Sequence, residues 1–267
     1  MRTIRLATWN INSVRLRLPL LARLGEEQKP DIVCLQETKV DDSRFPLGDL
    51  KKLGFPYIAF AGQKGYHGVA ILSKLPFEPD LGSTICPRAE PRHISAKFGP
   101  VTLHNFYVPA GGDIPDRGQN PKFAHKLDFL TRMAEGLSGP KRSKTKPAMI
   151  LVGDLNVAPL EHDVWSHKQL LDVVSHTPVE VEHLAQVYQS QDWVDVSRRA
   201  VPEPEKLYSW WSYRAADWQA SNRGRRLDHI WVTPALEGAL GRTWIETPMR
   251  GWDKASDHVP VITEIAL

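Results

Sequence analysis

The chain has 267 residues, 42% of them hydrophobic, which is enough for one sizeable core within a single α/β or β-rich domain. No apolar run is long enough to span a membrane, and the start, "MRTIRLATWNI", lacks a secretory leader pattern. The formal net charge of +3 is compatible with nucleic acid but too mild to argue for it.

In chain order, "IRLATWNI" alternates Ile4, Leu6 and Thr8 against Arg5, Ala7 and Trp9 and predicts a strand. "LPLLARLGEEQ" predicts a helix, with Pro19 in its first turn and Pro30 beyond it. "DIVCLQE" is a short, nearly continuous apolar run, so a buried strand. It makes Cys34 a small core residue. Cys34 and Cys86 fit no zinc spacing, and a reducing compartment follows. "YIAFAG" and "GVAILSK" are two more strands, and "HISAKFG" with "VTLHNFYVP" forms a hairpin around Gly99 and Pro100. "PKFAHKLDFLTRMAEGL" is the clearest helix, with Phe123, Leu127, Leu130 and Ala134 along one face. "SGPKRSKTKP", carrying Lys141, Arg142, Lys144 and Lys146, is a basic connector expected on the surface. "AMILVGD" is a buried strand and "PVEVEHLAQVYQSQ" a helix. "LYSWWSY", "RRLDHIWVT", "RTWIETP" and "VPVITEIAL" are strands. No repeat or linker divides the chain, so residues 1–267 are expected to form one domain of two packed sheets with helices outside.

Polar residues gather at strand ends. Asn10 follows "LATW", Glu37 follows "IVCLQ", Tyr107 ends "LHNF", and Asp154 and Asn156 follow "MILVG". Asp228 sits in "RRLDHIWV", and Asp257 and His258 precede "VPVIT". Any one of these is ordinary turn chemistry. Together, at ends that could share one edge of a sandwich, they form a coherent inventory. Asp, Glu and Asn oxygens are hard ligands suited to Mg²⁺ or Mn²⁺, and an Asp–His pair suits proton transfer. Tyr and Asn can donate to developing negative charge. No phosphate-binding Gly-rich loop with a following Lys, no His-Glu-x-x-His and no Gly-x-Ser-x-Gly is present. The inventory suits metal-assisted hydrolysis of a phosphate ester by water.

The motifs "ATWNINSVR", "CLQETK", "GVAILSK", "NFYVPAG", "GDLNVAP", "NRGRRLDHIW" and "SDHVPV" occur in that order, from Thr8 to Val261. Seven ordered motifs are far more specific than "GDLN" or "SDH" alone. The chain resembles the exonuclease III family of apurinic/apyrimidinic endonucleases, within the endonuclease/exonuclease/phosphatase superfamily. The resemblance implies a four-layered α/β sandwich, with two mixed sheets face to face and helices outside. It implies Glu37 as the principal metal carboxylate, Asn10 as a nearby ligand or water-holder, and Asp257 helping to hold metal or its waters. Asp154 would orient or deprotonate the attacking water, and Asn156 would steady the scissile phosphate. Asp228 would fix the tautomer of His258, which contacts the phosphate, while Tyr107 would donate to a phosphate oxygen or aid the leaving group.

The same resemblance implies Mg²⁺, with Mn²⁺ able to substitute. It also implies duplex DNA with abasic sites or 3′ ends as partner, and a monomer acting in the cytoplasm, nucleoid-associated when on DNA. "YSWWSYR" matches the family's abasic-sugar pocket, with Trp210 and Leu227 as walls. Strand alternation sends one of Trp210 and Trp211 into the core, and the motif alignment gives Trp210 to the pocket. Arg223, Arg225 and Arg226 lie where phosphate contact is expected. Arg225 stands where some relatives carry an aromatic or aliphatic pocket residue. Two alternatives stay open. One is a member acting mainly as a 3′–5′ exonuclease or 3′-phosphatase, or on a small phosphate ester. The other is a non-catalytic nucleic-acid-binding module, against which stands the presence of Glu37, Asp154, Asp228 and His258 together.

Overall fold

The computed structural model describes residues 2–81, 85–138, 147–215 and 217–267, so the basic residues Lys141 to Lys146 of the connector lie outside the described residues. The first half supplies β1 (Thr3–Asn10), α1 (Leu18–Glu27), β2 (Ile32–Gln36), α2 (Leu47–Lys52), β3 (Tyr57–Ala61), β4 (Val69–Ser73), β5 (Glu78–Asp80), β6 (His93–Phe98), β7 (Val101–Tyr107) and α3 (Pro121–Leu137). The second half supplies β8 (Ala148–Asp154), α4 (His167–Leu170), α5 (Pro178–Gln189), β9 (Val194–Asp195), α6 (Val196–Ala200), β10 (Trp210–Trp211), α7 (Trp218–Ser221), β11 (Gly224–Arg225), β12 (Asp228–Val232), β13 (Leu240–Ile245) and β14 (Val261–Ala266).

Two six-stranded sheets result, in the orders β13-β14-β1-β2-β4-β3 and β5-β6-β7-β8-β12-β9. Each is mixed, with one parallel pair near its centre: β1 with β2, and β7 with β8. Their facing sides bury Ile4, Leu6, Ile32, Cys34 and Ile71 against Ile94, Leu103, Ile150, Val152 and Ile230. The outer side of the first sheet packs Ala7, Trp9, Val33 and Leu35 with Leu21 and Leu24 of α1. The outer side of the second packs Phe106, Leu151 and Trp231 with Phe129, Leu130 and Met133 of α3 and Leu184 and Val187 of α5. These are the four layers of an α/β sandwich.

The helices begin where their caps dictate. Thr177 and Glu180 form a reciprocal capping box at α5, and Asn120 accepts from the Lys122 amide at α3; each is followed by Pro at the first helical position. β1 departs from a one-sided alternating strand: Leu6, Ala7, Thr8, Trp9 and Asn10 are all buried, because helix covers one side and the second sheet the other. "LYSWWSY" narrows to the two residues of β10, which pair with β11, and Trp210 also bridges to His258. Asn105 zips the sheets together, donating to the carbonyls of Leu35 and Ala70 while accepting from Gln36.

Candidate active site

Strand register gathers the polar ends. Tyr107 lies opposite Asp154 across β7 and β8, and Asp154 lies opposite Asp228 across β8 and β12, so the three form one row. Gly153 permits this. Its φ is +141°, and a Cβ there would stand 1.9 Å from the Phe106 carbonyl oxygen, so any side chain would push β8 off β7. Asn10, the last residue of β1, reaches across from the other sheet. Its Nδ2 donates to Glu37 Oε1 at 2.9 Å and to Asp154 Oδ2 at 2.8 Å, joining the two rims. Glu37 and Asn156 hold left-handed backbones, φ +51° and +53°. That conformation is uncommon for a glutamate and is held here by the surrounding bonds.

His258 stands between two carboxylates. Nδ1 is 2.8 Å from Asp228 Oδ2, while Nε2 is 3.7 Å from Asp154 Oδ2. Burial opposes the imidazolium, but the charges of Asp228 and Asp154 outweigh it and lift its pKa to about 10. Burial, with Asp228 reinforcing and His258 opposing, pushes Asp154 up to about 7. A carboxyl so poised can take a proton from water near neutrality, where an ordinary aspartate cannot. Asp228 is held in turn by the Ser209 hydroxyl, which donates at 2.7 Å. Asn156 donates its backbone N–H and its Nδ2 to Asp154, and Nδ2 also to the Val108 carbonyl. Tyr107 donates its hydroxyl to Glu37 Oε1 at 2.8 Å. Burial, then the charges of Glu37 and Asp154, hold its pKa well above the ordinary phenol value, so it stays a donor.

Asp154, Asp228 and His258 have ligand atoms within 4.8 Å of one another, a spacing that a metal could bridge. Asp154 accepts from Asn10 and Asn156, and His258 is engaged at Nδ1 by Asp228, whose other oxygen, Oδ1, has no hydrogen-bond partner. Glu37 offers a second oxygen-lined position. Its Oε2 lies 2.8 Å from Lys39 Nζ, which also donates to Asn12 Oδ1 at 2.6 Å. The Lys39 ammonium thus stands where carboxylate and amide oxygens meet. A hard divalent cation fits this oxygen-only donor set if it displaces or shares the ammonium. Burial works against the Glu37 charge, but Lys39, Asn10 and His258 outweigh it and hold the carboxyl below its ordinary value. Asp257 lines the same cleft; Asn12 donates to its Oδ1 and Trp210 Nε1 to its Oδ2, each at 3.0 Å.

The cleft has a volume of about 730 Å³ and is lined by Trp210, Leu227, Arg223 and Arg225 as well as Glu37, Asn156 and His258. Trp211 faces the other way into the core, near Tyr208 and Trp218. Arg223 is exposed at the rim with its guanidinium over the Trp165 ring, 4.6 Å from the centroid. Arg226 does not reach the cleft, contrary to the expectation of a phosphate contact. It is fully buried, paired with Asp163 and Asp195, because alternation past Arg225 turns it inward. The sequence reading passed over Asn12, Lys39 and Ser209. Asn12 and Lys39 lie inside motifs quoted above, but Asn12 meets Asp257 only across the fold, and Lys39 meets Glu37 only through the local turn of the chain. The buried Lys126–Glu180 pair was also missed; Lys126 donates to the Asn156 carbonyl at 2.7 Å and so pins that loop.

An imidazolium and amide donors facing a poised carboxyl, beside an oxygen-lined cation position, make a hydrolytic site for an anionic ester. The chain belongs to the Endonuclease/Exonuclease/phosphatase family, whose model matches residues 7–258. It is 31% identical to exodeoxyribonuclease III of Haemophilus influenzae, over 98% of this chain and 99% of that protein. Among solved structures, it is similar to an AP endonuclease from Archaeoglobus fulgidus (TM-score 0.89, 32% identity, covering 99% of this chain and 100% of that one). It is equally similar to a 3′ phosphatase from Neisseria bound to a product DNA hairpin (TM-score 0.89, 30% identity, the same coverage).

Proposed function

We propose that this protein is a DNA-repair endonuclease. It hydrolyses the phosphodiester 5′ to an abasic site in duplex DNA and leaves a 3′-hydroxyl, with 3′–5′ exonuclease or 3′-phosphodiesterase activity at strand ends. The observation that carries the reading is His258 held by Asp228 at 2.8 Å with Nε2 turned toward Asp154. In this scheme Asp154 orients a water and takes its proton. Protonated His258 and the Asn156 amide stabilise the charge that builds on the phosphoryl oxygens. Asn10 holds Asp154 and Glu37 in fixed relation, and Tyr107 orients Glu37. Glu37, with Asn10 and Asp257 near it, would hold Mg²⁺ or Mn²⁺. The bound ion would polarise a phosphoryl oxygen and offset charge on the leaving oxygen. Trp210 and Leu227 would wall the space for a flipped deoxyribose without its base, and Arg223 at the rim would contact phosphate. An abasic nucleotide has no base stacking to lose on flipping, which lowers its cost by a few kcal/mol.

We further propose that the chain acts as one domain and as a monomer, in the cytoplasm. Both cysteines are free thiols, and no helix among the described residues is long and apolar enough to cross a membrane. The similarity to a 3′ phosphatase supports a second reading, in which strand ends are the main substrate. Rates with Mg²⁺ on a duplex holding one abasic site, on an intact end and on a 3′-phosphate end separate the two. Fastest turnover of the abasic duplex supports the first reading, and fastest turnover of the 3′-phosphate the second. No turnover of any of them overturns both.

A further inference from the structure

A second group of metal-ligating side chains lies where the segment between β5 and β6 meets the first turns of α3, and none of its members lines the cleft. Cys86 and His125 are 39 positions apart in sequence, yet Cys86 Sγ lies 3.4 Å from His125 Nε2. A carboxylate oxygen of Glu90 completes the group, and the three ligand atoms lie within 4.8 Å of one another. The backbone brings them together. The Ala89 amide donates to the Cys86 carbonyl at 3.0 Å, a tight turn that returns Glu90 to the side of Cys86. Ile85 and Cys86 pack against the apolar side of α3, and Arg88 Nη2 donates to the carbonyl of Pro121, its first residue, at 2.9 Å. His125 is buried, while Cys86 and Glu90 keep partial exposure, which gives an ion a way in from solvent.

The spacing fits a tetrahedral ion. Zinc bonds of about 2.3 Å to sulfur and about 2.0–2.1 Å to nitrogen, at tetrahedral angles, put the two donor atoms roughly 3.5 Å apart. The observed 3.4 Å needs almost no adjustment. A thiolate, an imidazole and a carboxylate form a borderline-soft donor set that selects Zn²⁺ over Mg²⁺, unlike the oxygen-only position at Glu37. Two arginines oppose a cation here. Arg88 is exposed, where solvent screens it. Arg92 Nε and His67 Nε2 both approach Glu90 Oε2, at 2.6 and 3.6 Å, which leaves Oε1 as the oxygen to offer. The thiolate and the carboxylate together carry the two negative charges that a divalent ion requires.

We propose that Cys86, Glu90 and His125 form a zinc site that fastens the segment from Ile85 to Arg92 onto α3. On binding, the Cys86 thiol gives its proton to solvent, and the direct Sγ–Nε2 contact is replaced by a bond from each atom to the ion. Water takes the fourth position. The site stands behind Tyr107 rather than among the reacting groups. The Tyr107 amide donates to the Arg92 carbonyl at 2.7 Å, and the Arg92 guanidinium lies over the Tyr107 ring, 4.8 Å from its centroid. Zinc at Cys86 therefore stiffens the segment that backs this tyrosine. The role is structural, and the site does not depend on which ester the cleft hydrolyses.

The test uses the full chain, stripped of metal by a chelator and then held in excess Mg²⁺ so that oxygen-only positions are filled. Co²⁺ is titrated in without oxygen, because it reports thiolate ligation through a sulfur-to-cobalt charge-transfer band. One equivalent should bind with that band and be displaced by Zn²⁺, with a Kd for Zn²⁺ below about 10 μM. Cys34 is fully buried in the core, so the band belongs to Cys86. Cys86→Ser should abolish it, and Glu90→Gln should weaken Zn²⁺ binding by roughly tenfold or more. In the native chain, Zn²⁺ should slow alkylation of Cys86 by iodoacetamide by roughly tenfold, read by mass spectrometry of its peptide, so the site is tested even if a variant fails to fold. Absence of the band from the native chain, a band that survives Cys86→Ser, weaker Zn²⁺ binding, or alkylation at the same rate with and without Zn²⁺ overturns the site and leaves a thiol–imidazole hydrogen bond in its place.

Discussion

Asp228 Oδ2 and His258 Nδ1 lie 2.8 Å apart, and this bond leaves Nε2 as the face that His258 turns to the cleft. The Asp228 charge is a main reason that the His258 pKa rises to about 10, against the opposing effect of burial. Asp228→Asn keeps the shape and removes the charge. Its His258 pKa, followed by NMR titration, should drop toward the ordinary value, and turnover should fall by about 10²-fold or more. An unchanged imidazole titration would show that Asp228 does not hold the proton in place.

The cation position proposed at Glu37 predicts a metal-dependent activity. Activity should vanish in excess chelator and return with Mg²⁺ or Mn²⁺. Glu37→Gln should weaken metal binding, measured by calorimetry, by roughly tenfold or more while the melting temperature barely moves. Full activity in chelator would exclude the cation from the chemistry.

Trp210 and Trp211 provide a matched pair. Trp211 is buried and its Nε1 donates to Asn222, so Trp211→Ala should cost about 3–5 kcal/mol of stability in urea unfolding. Trp210 is half-buried on the cleft wall and donates to Asp257, so Trp210→Ala should lower abasic incision far more than non-specific duplex binding. The reverse pattern, with Trp211→Ala stable but inactive, would invert the assignment of faces.

Acid should unfold the protein through its buried imidazoles. His229 is fully buried; burial, then the nearby Arg226 charge, pulls its pKa down to about 4. Its Nε2 lies 2.9 Å from the Val157 carbonyl and its Nδ1 3.0 Å from Arg226 Nη1, which fits a neutral ring. An unfolded histidine protonates near 6.5, so the unfolded chain takes up this proton first. Stability is therefore full above about pH 6.5 and is lost as pH falls toward 4, by at most about 3 kcal/mol from this residue. Urea midpoints between pH 7 and pH 4 should fall less steeply for His229→Gln than for the native chain. Parallel slopes would assign the acid sensitivity elsewhere.

The long strands were legible because their apolar runs match strand period and length, as in "DIVCLQ" and "AMILVGD". The site was legible because it consists of strand ends, and register then places Tyr107, Asp154 and Asp228 in one row. What stayed hidden was short or relational. β5, β9 and β11 have two or three residues, too few to show a period. Arg226 read as a DNA contact because its partners, Asp163 and Asp195, come from other segments. Lys39 gave no sign that it sits on Glu37, since only the fold of the "CLQETK" turn brings the two together.

The central claim is that a water held by Asp154 attacks phosphorus. The most direct measurement is cleavage of a duplex with one abasic site in ¹⁸O-labelled water with Mg²⁺, followed by mass spectrometry of both fragments. The expected result is one ¹⁸O in the 5′-phosphate of the abasic fragment and an unlabelled 3′-hydroxyl on the other. Asp154→Asn should slow the reaction by roughly 10²–10⁴-fold. Label in the 3′-hydroxyl, an unlabelled elimination product, or a native rate in Asp154→Asn would contradict it.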